Sequence, residues 1–265
     1  MSACAKTYIP APDPSAEMSW ERLDWDSEQF GFAAARLHVP GATGASDCAM
    51  EATQLETVLD ECRAAGIRHL IARVDARHMS MIHTLENAGF ELLDGIQTFA
   101  LELDNPLILI CLDGLSVRPL CWFDRPQVLT IAKTAYSYDR FHVDSALSQE
   151  TADRINATWV DNCCRGQMAD VVFVAEENHE VLGFVTCKIN PKTHVGVIGM
   201  VATHASARRR GVARAITSAC INWFHENGAF RIEVGTQLAN LPATRLYQTM
   251  GFRSIAVSLT FRKLL

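Results

Sequence analysis

At 265 residues the chain has room for one large domain or two modest ones. Hydrophobic residues make up 49% and charged residues 20%, ordinary proportions for a soluble globular fold, and the formal net charge of −6 argues against nucleic acid or an anionic membrane surface as the main partner. A local basic patch on so acidic a chain points instead to a small anionic ligand. The nine cysteines form no CxxC pair and no zinc-like spacing with histidine, which predicts free thiols in a reducing cytosol and no metal site.

Residues 1–19 carry Pro10, Pro12 and Pro14 without an apolar core and read as a flexible leader, not a signal peptide. Residues 23–32 are aromatic and acidic, with Trp25, Phe30 and Phe32 expected to pack. Leu55, Val58, Leu59 and Cys62 recur at helical spacing up to Gly66. Residues 69–74 then read as a strand, 79–88 as a helix closed by Gly89 and Phe90, and 97–103 as a further strand. The most apolar run, residues 107–112, is far too short to cross a bilayer and reads as a buried strand.

The C-terminal segment repeats this grammar at an offset of 162 residues. Gly66, Gly89, Phe90, Thr98, Phe99 and Leu103 recur as Gly228, Gly251, Phe252, Thr260, Phe261 and Leu265. Strands are expected over 230–236 and near the C-terminus, with a helix over 241–250 between them. The halves are not equivalent. The counterpart of Gly211 falls near Ala49, residues 46–51 offer no basic cradle, and Leu85 stands where the second half has Tyr247. A leader over 1–19, a degenerate half over 20–112 and a complete half over 113–265 follow, with the chemistry placed in the last.

The second half opens on residues 115–119, an edge strand by its proline. A helix over 124–135 and an irregular polar-aromatic loop over 137–144 come next. Another helix starts at Ser148 and buries Ala152, Ile155, Trp159 and Cys163. Strands over 171–175 and 181–189 flank a hairpin turn, and a third over 195–203 runs into Arg208-Arg209-Arg210-Gly211-Val212-Ala213. From Val212 the spacing of Ile216, Ala219, Cys220 and Trp223 marks a helix lying on a core. A helix start exposes unpaired N–H groups at the positive end of its dipole. With a glycine and several guanidinium groups added, it becomes a pyrophosphate cradle. The alternative for the stretch alone is a solvated basic helix start.

Within this order, Arg208-x-x-Gly211-x-Ala213 after an apolar strand resembles the acyl-CoA signature of the GNAT acyltransferases. Ile232 to Asn240, Ala243-x-x-x-Tyr247 and Met250-Gly-Phe252 resemble that superfamily's closing motif. The resemblance implies an α/β (α+β) GNAT fold, a mixed and mostly antiparallel sheet flanked by helices, here with a degenerate GNAT-like first half. It implies acetyl-CoA as co-substrate. Val201 and Thr203 would meet the pantetheine at a splayed strand end opened by a β-bulge, and Arg208, Arg209, Arg210, Gly211, Val212 and Ala213 would hold the pyrophosphate. Asn240 would contact the cofactor, and Tyr247 would protonate the departing thiolate.

Residues 23–32, 137–144, 159–166 and 235–240 narrow the likeness to a sugar-nucleotide branch that acetylates a dTDP-linked 4-amino-4,6-dideoxyhexose. The acceptor would then meet Arg140, Phe141, His142 and Asp144, an aromatic beside polar and cationic groups. Glu176, Glu233 and His204 are the options for a general base, and none stands out. The alternatives are another small amine or a protein amine as acceptor, or an acyl-CoA sensor without turnover. A cytoplasmic enzyme with no nucleic-acid or membrane partner is expected, with a homodimer left open.

Overall fold

The computed structural model describes residues 17–41, 48–103 and 112–265. All but the last residue of the expected strand over 107–112, and most of the leader, lie outside these residues. Met18 is buried and β1 begins at Ser19, both within the stretch expected as leader.

The first half runs β1 (Ser19–Arg22), α1 (Asp24–Phe30), β2 (Ala34–His38), α2 (Cys48–Ala64), β3 (His69–Asp75), α3 (Met79–Asn87) and β4 (Glu91–Glu102). The second runs β5 (Ser116–Pro119), α4 (Arg125–Thr134), α5 (Arg140–Val143), α6 (Gln149–Cys164), β6 (Val171–Glu177), β7 (Glu180–Ile189), β8 (Val195–Thr203), α7 (Val212–Glu226), β9 (Arg231–Gln237), α8 (Leu241–Thr249) and β10 (Arg253–Leu264).

Glycine punctuates these elements as expected. Gly66 and Gly228, with φ of 72° and 78°, follow α2 and α7 in the left-handed region that ends a helix at little steric cost. Ser148 accepts the Thr151 N–H at 3.1 Å and caps α6. Three readings change. β4 starts at Glu91, six residues before the expected 97, because Asp94-Gly95 interrupts its apolar pattern. Residues 24–30 and 140–143 are helical, where no periodicity was legible.

All ten strands form one sheet in the order β1-β2-β3-β10-β4-β9-β8-β7-β6-β5. β2–β3 and β8–β9 are parallel pairs and the other neighbours are antiparallel. The repeat is visible in the element bounds, since β3 and β9, α3 and α8, and β4 and β10 each differ by 162 at both ends.

The last strands are exchanged: β10 pairs with β3 and β4 pairs with β9. Ile96 lies opposite Ser258, its own counterpart at that offset, so the β4–β10 pair is the pseudo-symmetry centre. Each half therefore supplies the strand that closes the other.

Three apolar cores result. α2 and α3 pack on Leu70, Ala72, Val74 and Phe261. α7 packs on Val185, Cys187, Ile198 and Val234, and α4 and α6 pack on Phe184, Met200 and Ala202 from the opposite side. Covered on both faces, β7 is apolar along nearly its whole length.

Candidate functional site

β8 and β9 pair from Val195↔Arg231 to Ile198↔Val234 and then part. β8 runs on to Thr203 beside β7, while β9 runs on to Gln237 beside β4. The parting has a local cause. Between Val185↔Val201 and Cys187↔Ile198, β8 holds one residue more than β7, which is the bulge expected at this strand end. The Met200 N–H is taken at 2.9 Å by the Thr186 hydroxyl, and a Cβ on Gly199 would come within 2.8 Å of that oxygen, so the bulge is tied from behind.

The gap opens into a cleft of about 1030 Å³. Val201, Thr203, Arg208, Arg209, Gly211, Val212, Ala213, Asn240 and Tyr247 line it, as does Arg140. Gly211, at φ 83°, is the N-cap of α7 and has no side chain to occupy the first-turn N–H groups. Arg209 is also left-handed, at φ 64°, so the turn curls into a concave row of amides suited to an anion. Arg214, unread in the sequence, lines the same end.

Arg210 differs from expectation. Its guanidinium bonds both oxygens of Glu177, at 2.6 and 2.8 Å, and fastens the cradle to the end of β6. Asn240 caps α8, its side-chain oxygen accepting the Ala243 N–H at 3.2 Å. Tyr247 is buried on α8, its ring 5.9 Å from Phe99 and 5.6 Å from Phe252. Burial, with Cys220 adding to it, pushes the phenol well above its ordinary range, so it holds its proton at neutral pH.

The three options for a base separate. Glu176 is tied to Arg118. His204 is exposed, with Nδ1 2.7 Å from the Ser206 hydroxyl. Glu233 lines the cleft, with Oε1 3.0 Å from Arg231 and Oε2 buried without a partner. Burial raises its pKa, Arg231 opposing the rise and Glu102 reinforcing it.

The expected acceptor residues divide. Arg140 reaches the cleft, held by a 2.7 Å bond to buried Asp26. Phe141, His142 and Asp144 do not line it. The Phe141 ring fills the core near Phe30, because an aromatic on a helix this short has an apolar pocket beneath it. His142 bridges Asp139 and Asp153 at 3.1 and 3.0 Å, and the Asp139 bond first among several causes raises its pKa. Asp144 is buried against His69 at 2.7 Å. In their place the cleft is lined by Arg73, Asp94, Tyr136 and Tyr138. An arginine within the apolar run 69–74 was the available signal for Arg73; Asp94, beside Gly95, carried none.

Residues 129–252 match the acetyltransferase (GNAT) family, and with this sheet, bulge and cradle the second half is a GNAT N-acetyltransferase domain. The protein is therefore an acyltransferase, of a family that uses acetyl-CoA as co-substrate.

Among its relatives is dTDP-fucosamine acetyltransferase of Escherichia coli, 22% identical over 234 residues, which are 88% of this chain and 92% of that one. Spore coat polysaccharide biosynthesis protein SpsD of Bacillus subtilis is 26% identical over 49% of this chain and 44% of its own. Mycothiol acetyltransferase of Amycolatopsis mediterranei is 25% identical over 89% and 77%. A solved GCN5-related N-acetyltransferase from Sphaerobacter thermophilus shares the fold with a TM-score of 0.67 at 15% identity, over 94% of this chain and 77% of that one. A tandem GNAT protein from the clavulanic acid biosynthesis pathway does so at 0.63 and 13%, over 88% and 76%.

Proposed function

We propose that the protein transfers the acetyl group of acetyl-CoA to the amino group of a nucleotide-linked amino sugar of the dTDP-4-amino-4,6-dideoxyhexose type. The observation that carries the reading is the continuity of the cleft. It runs from the Gly211 cradle past Tyr247 to Arg73 and Asp94 of the first half, room for an extended, polar acceptor. The likeness to dTDP-fucosamine acetyltransferase across most of both chains supports it. Residues 113–265 then carry donor and chemistry, and residues 20–112 close the sheet and shape the acceptor end.

Transfer is direct. The α7 amides and Arg208 and Arg209 hold the pyrophosphate, and the opened edge of β8 at Val201 and Thr203 holds the pantetheine and polarises the carbonyl. Glu233 takes a proton from the acceptor ammonium. The amine lone pair then attacks the thioester carbon, the C–N bond forms, the C–S bond breaks, and Tyr247 gives its proton to the leaving thiolate and is reprotonated by the proton that the new amide nitrogen sheds. The enzyme works in the cytoplasm on a small molecule, without nucleic acid or membrane.

The likeness to mycothiol acetyltransferase favours a second reading, a different small amine. Thiol release from acetyl-CoA across a panel of amines separates the two. Fastest release with a dTDP-4-amino sugar supports the first reading, preference for a non-nucleotide amine supports the second, and binding of acetyl-CoA without release from any amine would make the protein a sensor.

A further inference from the structure

Arg73 alternates along β3 with Ala72 and Val74, which sit in the core under α2 and α3, so its side chain belongs to the other face of the sheet. There Thr260 lies directly opposite it on β10, and Asp94 lies opposite Thr260 on β4. The three side chains form one cross-strand row, about 10 Å from end to end at ~4.8 Å per strand.

The row is poorly satisfied within the protein. Neighbouring Arg36 and Arg140 each have a carboxylate, Glu21 at 3.0 Å and Asp26 at 2.7 Å. Among the described residues Arg73 has no carboxylate within salt-bridge distance, only the Thr260 hydroxyl at 3.4 Å. Its pKa is pulled down to about 10, chiefly by desolvation, with Asp94 opposing and Arg140 and Arg36 adding to the fall. Both carboxylate oxygens of Asp94 are buried without a hydrogen-bond partner. A desolvated charge left without a partner is unfavourable, and a complementary ligand relieves it.

Pseudo-symmetry sharpens the contrast. At the 162-residue offset, Arg73, Thr260 and Asp94 correspond to Gly235, Thr98 and Ala256, which also form one row and also line the cleft. There the two charged positions are Gly and Ala, at the point where β8 parts from β9. One row is hollow where the groups react, and the other is charged about 13 Å away, four residues along β4.

We infer that the Arg73–Thr260–Asp94 row is the recognition site for the acceptor's phosphoryl group. Arg73 pairs with a phosphoryl oxygen, and Asp94 accepts a hydrogen bond from a hydroxyl of the same molecule. This rests on the reading of the acceptor as nucleotide-linked, and it gives the first half a binding role.

The test uses the full chain saturated with coenzyme A, so that the cradle is occupied, and titrates dTDP and inorganic pyrophosphate by calorimetry. Arg73→Ala should weaken dTDP binding at least about tenfold and Arg73→Lys less, both keeping the coenzyme A affinity and melting temperature of the parent. Equal dTDP affinity in parent and Arg73→Ala, or no binding of either probe by the parent, overturns the inference. Arg73-dependent dTDP binding in a protein that acetylates no dTDP-amino sugar upholds the site and removes the proposed acceptor.

Discussion

The two halves start their equivalent helices in opposite ways. At α7 a left-handed Gly211 and two flanking arginines leave the first-turn amides facing the cleft. At α2 the first turn carries Glu51, the counterpart of Ala213, and its carboxylate is buried within the fold. It lies 3.1 Å from His78, 3.3 Å from the Ser80 hydroxyl and 3.4 Å from the Thr84 hydroxyl. His78 is the counterpart of Asn240.

The first half thus supplies its own anion at the helix end where the second half leaves room for one. The strands agree. β2 and β3 pair in regular register from Ala34↔His69 to Leu37↔Ala72, while β8 bulges and leaves β9. One architecture serves as a closed support or as an open site, according to whether a helix start and a strand edge are satisfied from within.

The largest effect should come from Tyr247→Phe, since general acid groups contribute typically ~10²–10⁴ in rate. kcat should fall by that order with the dissociation constant of acetyl-CoA unchanged within about twofold, and an unaltered kcat would put Tyr247 on a par with its apolar counterpart Leu85. Next comes Glu233. A base must be deprotonated, and burial favours its protonated form, so kcat/KM should rise as pH climbs through a pKa above the ordinary carboxylate range. Glu233→Gln should remove that limb and lower kcat about 10²-fold; a profile that keeps the limb would assign the proton to another group.

The smallest effect concerns the closed half. Glu51→Ala removes the buried carboxylate that His78, Ser80 and Thr84 share and should cost about 1–3 kcal/mol in urea unfolding while acetyl-CoA affinity stays put. A loss of affinity without a loss of stability would break the contrast between the helix starts.

Much of the architecture of the candidate donor site was legible from residue order. A strand, a basic glycine turn and an amphipathic helix must lie end to end, and the Asn240 and Tyr247 spacing places both on the next helix. The acceptor side was misread for a physical reason. Arg140, Phe141, His142 and Asp144 have the right chemistry for a nucleotide-sugar, yet Asp139, Asp153, His69 and the core around Phe30 satisfy three of them internally. Partners such as Asp153 for His142 and His69 for Asp144, 11 and 75 residues apart in sequence, leave no local pattern.

By itself the sequence determined the repeat, its offset and the inequality of its halves, because glycine stops, apolar periodicity and the missing basic turn are local properties of the chain. Only the tertiary structure decided that the halves exchange their last strands, that Arg73 and Asp94 share a row through Thr260, and that Glu51 occupies the first half's helix start. Each depends on register between strands or packing between elements far apart in the chain, which hydrogen-bond pairing and burial settle only when the sheet closes.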